Sequence, residues 1–346
     1  MKKKGYSVSR GLTIILLLTI ILLVVAVVSV NSGKMNLSPS EVFNVLIGKG
    51  TDKQNLIVYN FRLPRIVLTM LVGIGMGTAG CVMQSLLRND MASPGTLGIS
   101  SGSGLFVLLF IVIFKVDSVS SAIALPLLAF VGGMTAAVLI FLLSYRRGKS
   151  ISPTGLILTG VAVGSGYSAV TMMLTLKLDE KQMDFVQRWS AGSLWGDNWT
   201  YISILAPWVL ILFLYVFYKS RILNTLNLGN QTATGLGVAV KRQFIGLTVA
   251  AVALSSGSVA LGGNFFFVGM ISPHMARKFV GSNHKLLIPT ASLVGSIIIL
   301  LSDTITRTIS FGSDIPTGIV ITVLSTPYFL YPVSYTHLRA HETLAN

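Results

Sequence analysis

Gly75-x-Gly77-x-x-Gly80 has the spacing of a pyrophosphate-cradling glycine loop, so the first chemistry to weigh is dinucleotide binding. The setting argues against it. Such a fingerprint leaves a short strand, opens a helix in a βαβ unit and is followed about 20 positions later by an acidic residue. Here the glycines lie inside Ile66–Leu87, which is uncharged and long enough to cross a bilayer. Gly148-Lys149-Ser150 ends like a phosphate-binding loop, but that motif needs a glycine where Leu143 stands. It reads as a basic turn, and the chain has no ATP-binding loop of its own. His274 and His284 have no Cys, Asp or Glu between them and make a poor metal set. Cys81, the single cysteine, allows no internal disulfide and suits a small packing role. No nucleophile–base or metal cluster emerges that would support a membrane-embedded enzyme.

The elements that position these residues are membrane helices. The chain is 52% hydrophobic and 11% charged, against roughly 25% charged in soluble domains. Gly11–Val30 is an uncharged run of 20 residues, about 30 Å as a helix. A signal peptide is the competing reading of this N-terminus, but the run exceeds the usual apolar region and lacks a small-x-small cleavage site. Further spans are expected at Ile66–Leu87, Leu97–Phe114, Ser118–Ser144, Ile151–Leu176, Trp199–Tyr218, Leu286–Ser302 and Ile315–Tyr331. Between Arg242 and Arg277 lie 34 uncharged residues, which Gly262-Gly263-Asn264 divides into Gln243–Leu261 and a shorter Phe265–Ala276. The expectation is an all-α membrane protein of about ten transmembrane helices, a single transmembrane domain over residues 1–331 with both termini on one side.

Charge supports that topology. With the N-terminus cytoplasmic, the inner positions carry fifteen bases against one acid, Asp90, and the outer positions ten bases against nine acids. This is the positive-inside pattern, and it accounts for the net charge of +15 without nucleic acid as a partner.

Gly73, Gly77 and Gly80 recur at i, i+4 and i+7, a spacing that lets helix backbones approach closely in lipid. No span has a carboxylate at its middle; Asp303 and Asp314 flank an outer loop. That weakens an ion-coupled carrier, which commonly places an acid inside the bundle. The inner loop from Leu226 to Val238 mixes spaced apolar residues with glycines, as two very short helices joined by a turn would. An apolar, nearly uncharged loop on that side suggests a docking surface.

Taken together, these residues resemble the permease subunit of the FecCD or vitamin-B12-type ATP-binding-cassette importers. The resemblance rests on Arg62-Leu63-Pro64-Arg65, the run Gly77 to Gln84, Arg88-Asn89 with Ala92 and Pro94, and Leu97-Gly98-Ile99. It continues through Leu226-x-Leu228-Gly229 with Ala233 and Leu236-Gly237, Phe267-Val268-Gly269 with Pro273-His274 and Arg277, Asp303-Thr304 with Arg307, and Pro316-x-Gly318. It covers nearly all of residues 10–331 and implies a type II importer bundle in a bacterial cell membrane. Two permease subunits, a homodimer or two paralogues, would form the path. Two ATPase subunits would carry the ATP and Mg, an extracytoplasmic binding protein would deliver the ligand, and this chain would hold no cofactor.

The resemblance assigns Leu226, Leu228, Gly229, Ala233, Leu236 and Gly237 to the coupling loop pressed into the ATPase. It implies that Arg62, Arg65 and Arg307 face outward and pair with glutamates of the binding protein; the plainer alternative is that they snorkel at the interface. It places Asn89, Met91, Ser152 and Pro153 at a cytoplasmic gate. Two departures stand out: Asp90 where the family usually has proline, and Phe266 where it has glycine. The tail Pro332–Asn346 turns abruptly polar and resembles a translated sequencing adapter, so residues 332–346 are expected to be non-native and the true C-terminus to differ. The function expected is import of a ferric siderophore by alternating access. The alternative is an ion-coupled secondary transporter acting without an ATPase.

Overall fold

The computed structural model describes residues 8–33, 37–113, 119–145, 153–309 and 315–328, and among these all regular structure is helical. In chain order the helices are α1 (Val8–Asn31), α2 (Pro39–Leu46), α3 (Asp52–Asn55), α4 (Leu63–Leu87), α5 (Ile99–Ile113), α6 (Val119–Ser144) and α7 (Pro153–Thr175). They continue as α8 (Glu180–Ser190), α9 (Trp199–Tyr218), α10 (Ser220–Asn227), α11 (Asn230–Gly235), α12 (Val240–Gly262), α13 (Phe266–Val280) and α14 (His284–Thr308). A final apolar helix, α15, covers Thr317–Tyr328. Over its described residues, each of the ten expected spans coincides with a helix. Seven helices among the described residues are long and apolar enough to cross a membrane; α5 and α15 are shorter apolar helices and α13 has 15 residues.

The centre is built from α4, α12, α13 and α14, whose buried apolar residues form one cluster. By contrast, α1 leaves Leu12, Leu16, Ile20, Leu23 and Val27 exposed, as a helix facing lipid or another subunit does. The α4–α14 contact is close because α4 offers no side chain there. A Cβ on Gly73 would strike the backbone of Gly295 and Ser296, and one on Gly77 the Ala291 carbonyl. Gly80 serves a different neighbour, since its missing Cβ leaves room for the Gly269 carbonyl of α13. Thr78 and Ser292 exchange a hydrogen bond at 2.8 Å inside the α4–α14 seam, and Ser296 donates to the Met70 carbonyl at 2.9 Å.

Three elements depart from the expected boundaries. The helix containing the glycines does not begin at Ile66: a π-helical stretch, Leu56–Arg62, joins α3 to α4, so Arg62 and Arg65 sit within a continuous helix. Pro64 gives the reason. It has no N–H for the Asn60 carbonyl and its ring crowds that carbonyl, which favours the wider turn in which Leu63 N–H reaches Val58. The α14 helix extends to Thr308, so Asp303 lies inside a helix instead of flanking a loop. The polar segment 177–198 contains α8, started by a reciprocal cap between Asp179 and Gln182. A similar Ser38–Glu41 cap starts α2, and the Ser38 N–H and hydroxyl hold the Glu41 carboxyl below its ordinary pKa.

The helices alternate so that polar contacts gather at two ends. Arg62, Arg65, Asp197 and Arg307 share one end; Arg88, Asp90, Arg277, His284 and the α10–α11 pair share the other.

Candidate functional site: an arginine cavity and a short helix pair at opposite ends

At the N-terminal end of α4 a cavity of about 390 Å³ is lined by Arg62, Arg65, Arg188, Asp197 and Arg307, with Phe61, Ile57 and Pro316 as apolar wall. The three arginines that the sequence singles out are brought together here. Arg65 holds Asp303 through Nε at 3.0 Å and Nη2 at 2.9 Å, and turns Nη1 to Asp197 at 3.2 Å. From the next turn of α14, Arg307 donates Nε to the same carboxylate at 2.8 Å and Nη2 to the Ser29 hydroxyl of α1 at 2.6 Å. Thr317 Oγ1 approaches Asp303 from α15 at 3.4 Å. Arg62 donates to the Val30 carbonyl and is only 5% exposed.

Asp303 is thus a fully buried carboxylate whose cost in a low-dielectric interior is offset by two guanidinium groups. It fixes Arg65 and Arg307 side by side, while Asp197, 40% exposed, is held at the cavity edge. The Arg62 and Arg307 guanidiniums converge on Gly33: a Cβ there would lie 3.7 Å from one and 3.9 Å from the other. Five cavity charges, four of them positive, together with the buried acid, leave the lining cationic. Such a surface suits carboxylate partners, which planar guanidinium groups bind with directional hydrogen bonds. Asp303, Asp197 and Arg188 were not singled out as site residues from the sequence. The i,i+4 spacing of Asp303 and Arg307 is the one local signal that pointed to a pair.

At the opposite end two short helices occur, α11 within the expected Leu226–Val238 stretch and α10 starting before it at Ser220. Leu226 and Ala233 are buried and anchor them, Gly229 and Gly237 turn the chain at positive φ, and Leu228 and Leu236 stand 64% and 63% exposed. The chain thus presents two large apolar side chains on a compact projection. Arg88 caps α4 in the left-handed conformation and reaches the Leu226 carbonyl at 3.1 Å and Asn230 Oδ1 at 2.7 Å. Beside it, Asp90 pairs with Arg277, while its carbonyl accepts from Gln84 at 2.6 Å. Phe266 lies against the open face of Gly95.

The expected gate residues are spread over this end. Asn89 accepts from the Met91 N–H at 2.9 Å, and Met91 is exposed between α4 and α5. Pro153 opens α7, a helix packed through Gly160 and Gly164 against Leu97 and Gly98, and Ser152 lies outside the described residues. So do Gly148-Lys149-Ser150 and the tail 332–346. His274 meets Tyr328 edge to face, and His284 is enclosed between Ser85 and Asn224.

Comparison with known proteins agrees with this architecture. The model of the FecCD transport family matches residues 19–334. The chain is 42% identical over 314 residues to the iron(3+)-hydroxamate import system permease protein FhuG of Bacillus subtilis (strain 168), covering 89% of this chain and 92% of that protein. It is 39% identical to the Fe(3+)-citrate import system permease protein YfmE of the same strain, covering 97% and 98%. With the hemin transport system permease protein HmuU of Yersinia pestis it shares 34% identity, covering 89% and 91%. Among solved structures it is similar to a metal-chelate type ABC transporter in an inward-facing conformation, with TM-score 0.79, 28% identity and coverage of 94% and 99%.

Proposed function

Because this chain belongs to the FecCD transport family and is an importer permease, we propose that it forms half of the membrane path for a ferric siderophore. A second permease subunit, identical or paralogous, supplies the other half. Two ATPase subunits bind ATP and Mg and press on α10 and α11, and an extracytoplasmic protein delivers the cargo at the arginine cavity. The N-terminus is cytoplasmic, which the excess of bases at inner positions supports. No bond is made or broken on this chain. The cargoes for which these relatives are named, iron–hydroxamate, ferric citrate and hemin, are all chelated iron, and this supports that cargo class.

The observation that carries the reading is the placement of two unlike surfaces at opposite ends of one helix pair. The cationic cavity crowns the α4–α14 pair, and the exposed Leu228 and Leu236 project at its other end. ATP-driven closure of the partners would push the short helices, and the reoriented bundle would open the path to the other side.

Uptake of labelled ferric siderophores, haem and cobalamin by cells with and without the gene tests this. Loss of ferric siderophore uptake on deletion, restored by the gene and abolished when the partner ATPase is removed, is expected. Equal uptake of all three with and without the gene would sink the reading. Uptake that continues without the ATPase would favour an ion-coupled carrier.

A further inference from the structure

The projection formed by α10 and α11 is joined to the bundle through a polar chain that runs from the half-buried Asn224 to the buried His284 and Ser85. His284, the first residue of α14, is fully buried and has both ring nitrogens engaged. Its backbone N–H can only donate, and it donates to Asn224 Oδ1 of α10 at 2.9 Å. That oxygen is therefore the acceptor for the ring as well, so Nδ1, 2.7 Å away, carries the proton. In the neutral ring Nε2 is then an acceptor facing the Ser85 hydroxyl on the last turns of α4, whose single proton it shares with the Cys81 carbonyl 2.8 Å away. Asn224 uses its amide nitrogen on Asn283 Oδ1, the capping residue of α14, at 3.2 Å. One side chain of α10 thus grips the start of α14 by three hydrogen bonds, and through the imidazole it touches the end of α4.

The placement of this joint matters because of what α4 and α14 do elsewhere. They run antiparallel in glycine-mediated contact, about 37 Å for the 25 residues of α4. At the far end the same two helices are clamped by Arg65 on Asp303. A displacement of α10 therefore reaches the cavity through a pair of helices tied at both ends. At His284 and Ser85, which are buried, breaking the chain would leave a ring nitrogen or a hydroxyl unsatisfied at a cost, which favours movement of these groups together with Asn224.

We propose that Asn224, His284 and Ser85 form the joint that transmits movement of the α10–α11 pair to the α4–α14 pair, with Asn224 as its positioning residue. The proposal rests on the importer reading above. Physical contiguity alone does not establish coupling, so the test measures the coupling itself.

The assembled importer in liposomes is assayed for ATP hydrolysis and for uptake of radioiron-labelled ferric hydroxamate. Asn224→Ala is expected to leave basal hydrolysis unchanged and to lower uptake per ATP roughly tenfold, the scale of a transmitted coupling energy. Asn224→Asp, which keeps the acceptor oxygen facing the His284 N–H, should restore most of it. A purely structural role would lower hydrolysis, uptake and the yield of complex together, and that result would overturn the proposal. Undiminished uptake per ATP in Asn224→Ala would overturn it equally. His284→Gln gives a second approach, with a loss between those of the two Asn224 variants expected. If wild-type liposomes hydrolyse ATP without any uptake, the importer reading itself fails for this cargo, an outcome distinct from either of these.

Discussion

Arg65 and Asp303, 238 residues apart, meet through Nε and Nη2 on one carboxylate and so tie the start of α4 to the last turns of α14. Asp303 is fully buried and Arg307 shares it, whereas the Asp197 partner of Arg65 stays 40% exposed. Removing one member of a buried pair leaves its partner's charge uncompensated and costs about 3–5 kcal/mol, while an exposed pair contributes about 0–1 kcal/mol. Asp303→Asn should therefore destabilise the purified protein by about 3 kcal/mol and Asp197→Asn by less than about 1 kcal/mol. Thermal unfolding in nanodiscs reads both; equal shifts would contradict the hub role of Asp303.

The same geometry separates the two acids in docking. Asp197 occupies the one guanidinium nitrogen of Arg65 that Asp303 leaves over. Asp197→Asn should then strengthen association with the delivering protein, and more so at low salt. Replacing Arg62, Arg65 and Arg307 by Glu should weaken it. Unchanged affinity of the triple variant at low ionic strength would remove the docking role from the cavity.

Gly80 and Gly166 predict opposite outcomes for one substitution. A Cβ on Gly80 would enter the Gly269 carbonyl, so Gly80→Ala forces α4 and α13 apart and should cost about 1–3 kcal/mol or more. Nothing lies within 4 Å of a Cβ on Gly166, where alanine should be neutral or stabilise the helix by up to about 1 kcal/mol. Melting temperatures of the two variants check the contrast.

Arg88 is the one non-glycine among the described residues with positive φ, at 48°. Arg88→Ala loses both contacts to α10 and α11 and keeps the strain; Arg88→Gly loses the contacts and relieves it. The glycine variant should be the more stable by about 1 kcal/mol, with coupling of hydrolysis to uptake impaired in both. Coupling intact in both would limit Arg88 to capping.

Leu228→Ser with Leu236→Ser removes the exposed apolar pair without touching the buried anchors Leu226 and Ala233. Membrane insertion should be normal and co-purification of the ATPase lost. Normal uptake in this variant would refute the coupling assignment.

The apolar helices and their order were legible in the sequence because a backbone in lipid must satisfy its own hydrogen bonds, so each long apolar run has little choice but to be helical; the polar α2, α3 and α8 were not. The proposed sidedness rests on the bases at Arg88, Lys219, Arg242 and Arg277, since orientation depends on loop charge and not on packing. Gly73, Gly77 and Gly80 announced close contact, but only the tertiary structure gave the first two to α14 and the third to α13. Which polar groups meet was also decided there. Asp303 seemed to flank a loop because its compensating charge, Arg65, lies 238 residues away, and without that partner a carboxylate has no reason to stay in a helix at the membrane edge. Ser85, Asn224 and His284 carry no local pattern at all; they become a joint only when α4, α10 and α14 pack in one register. Apolar periodicity is a property of a segment, whereas the satisfaction of a buried charge or imidazole is a property of the neighbours that folding brings to it.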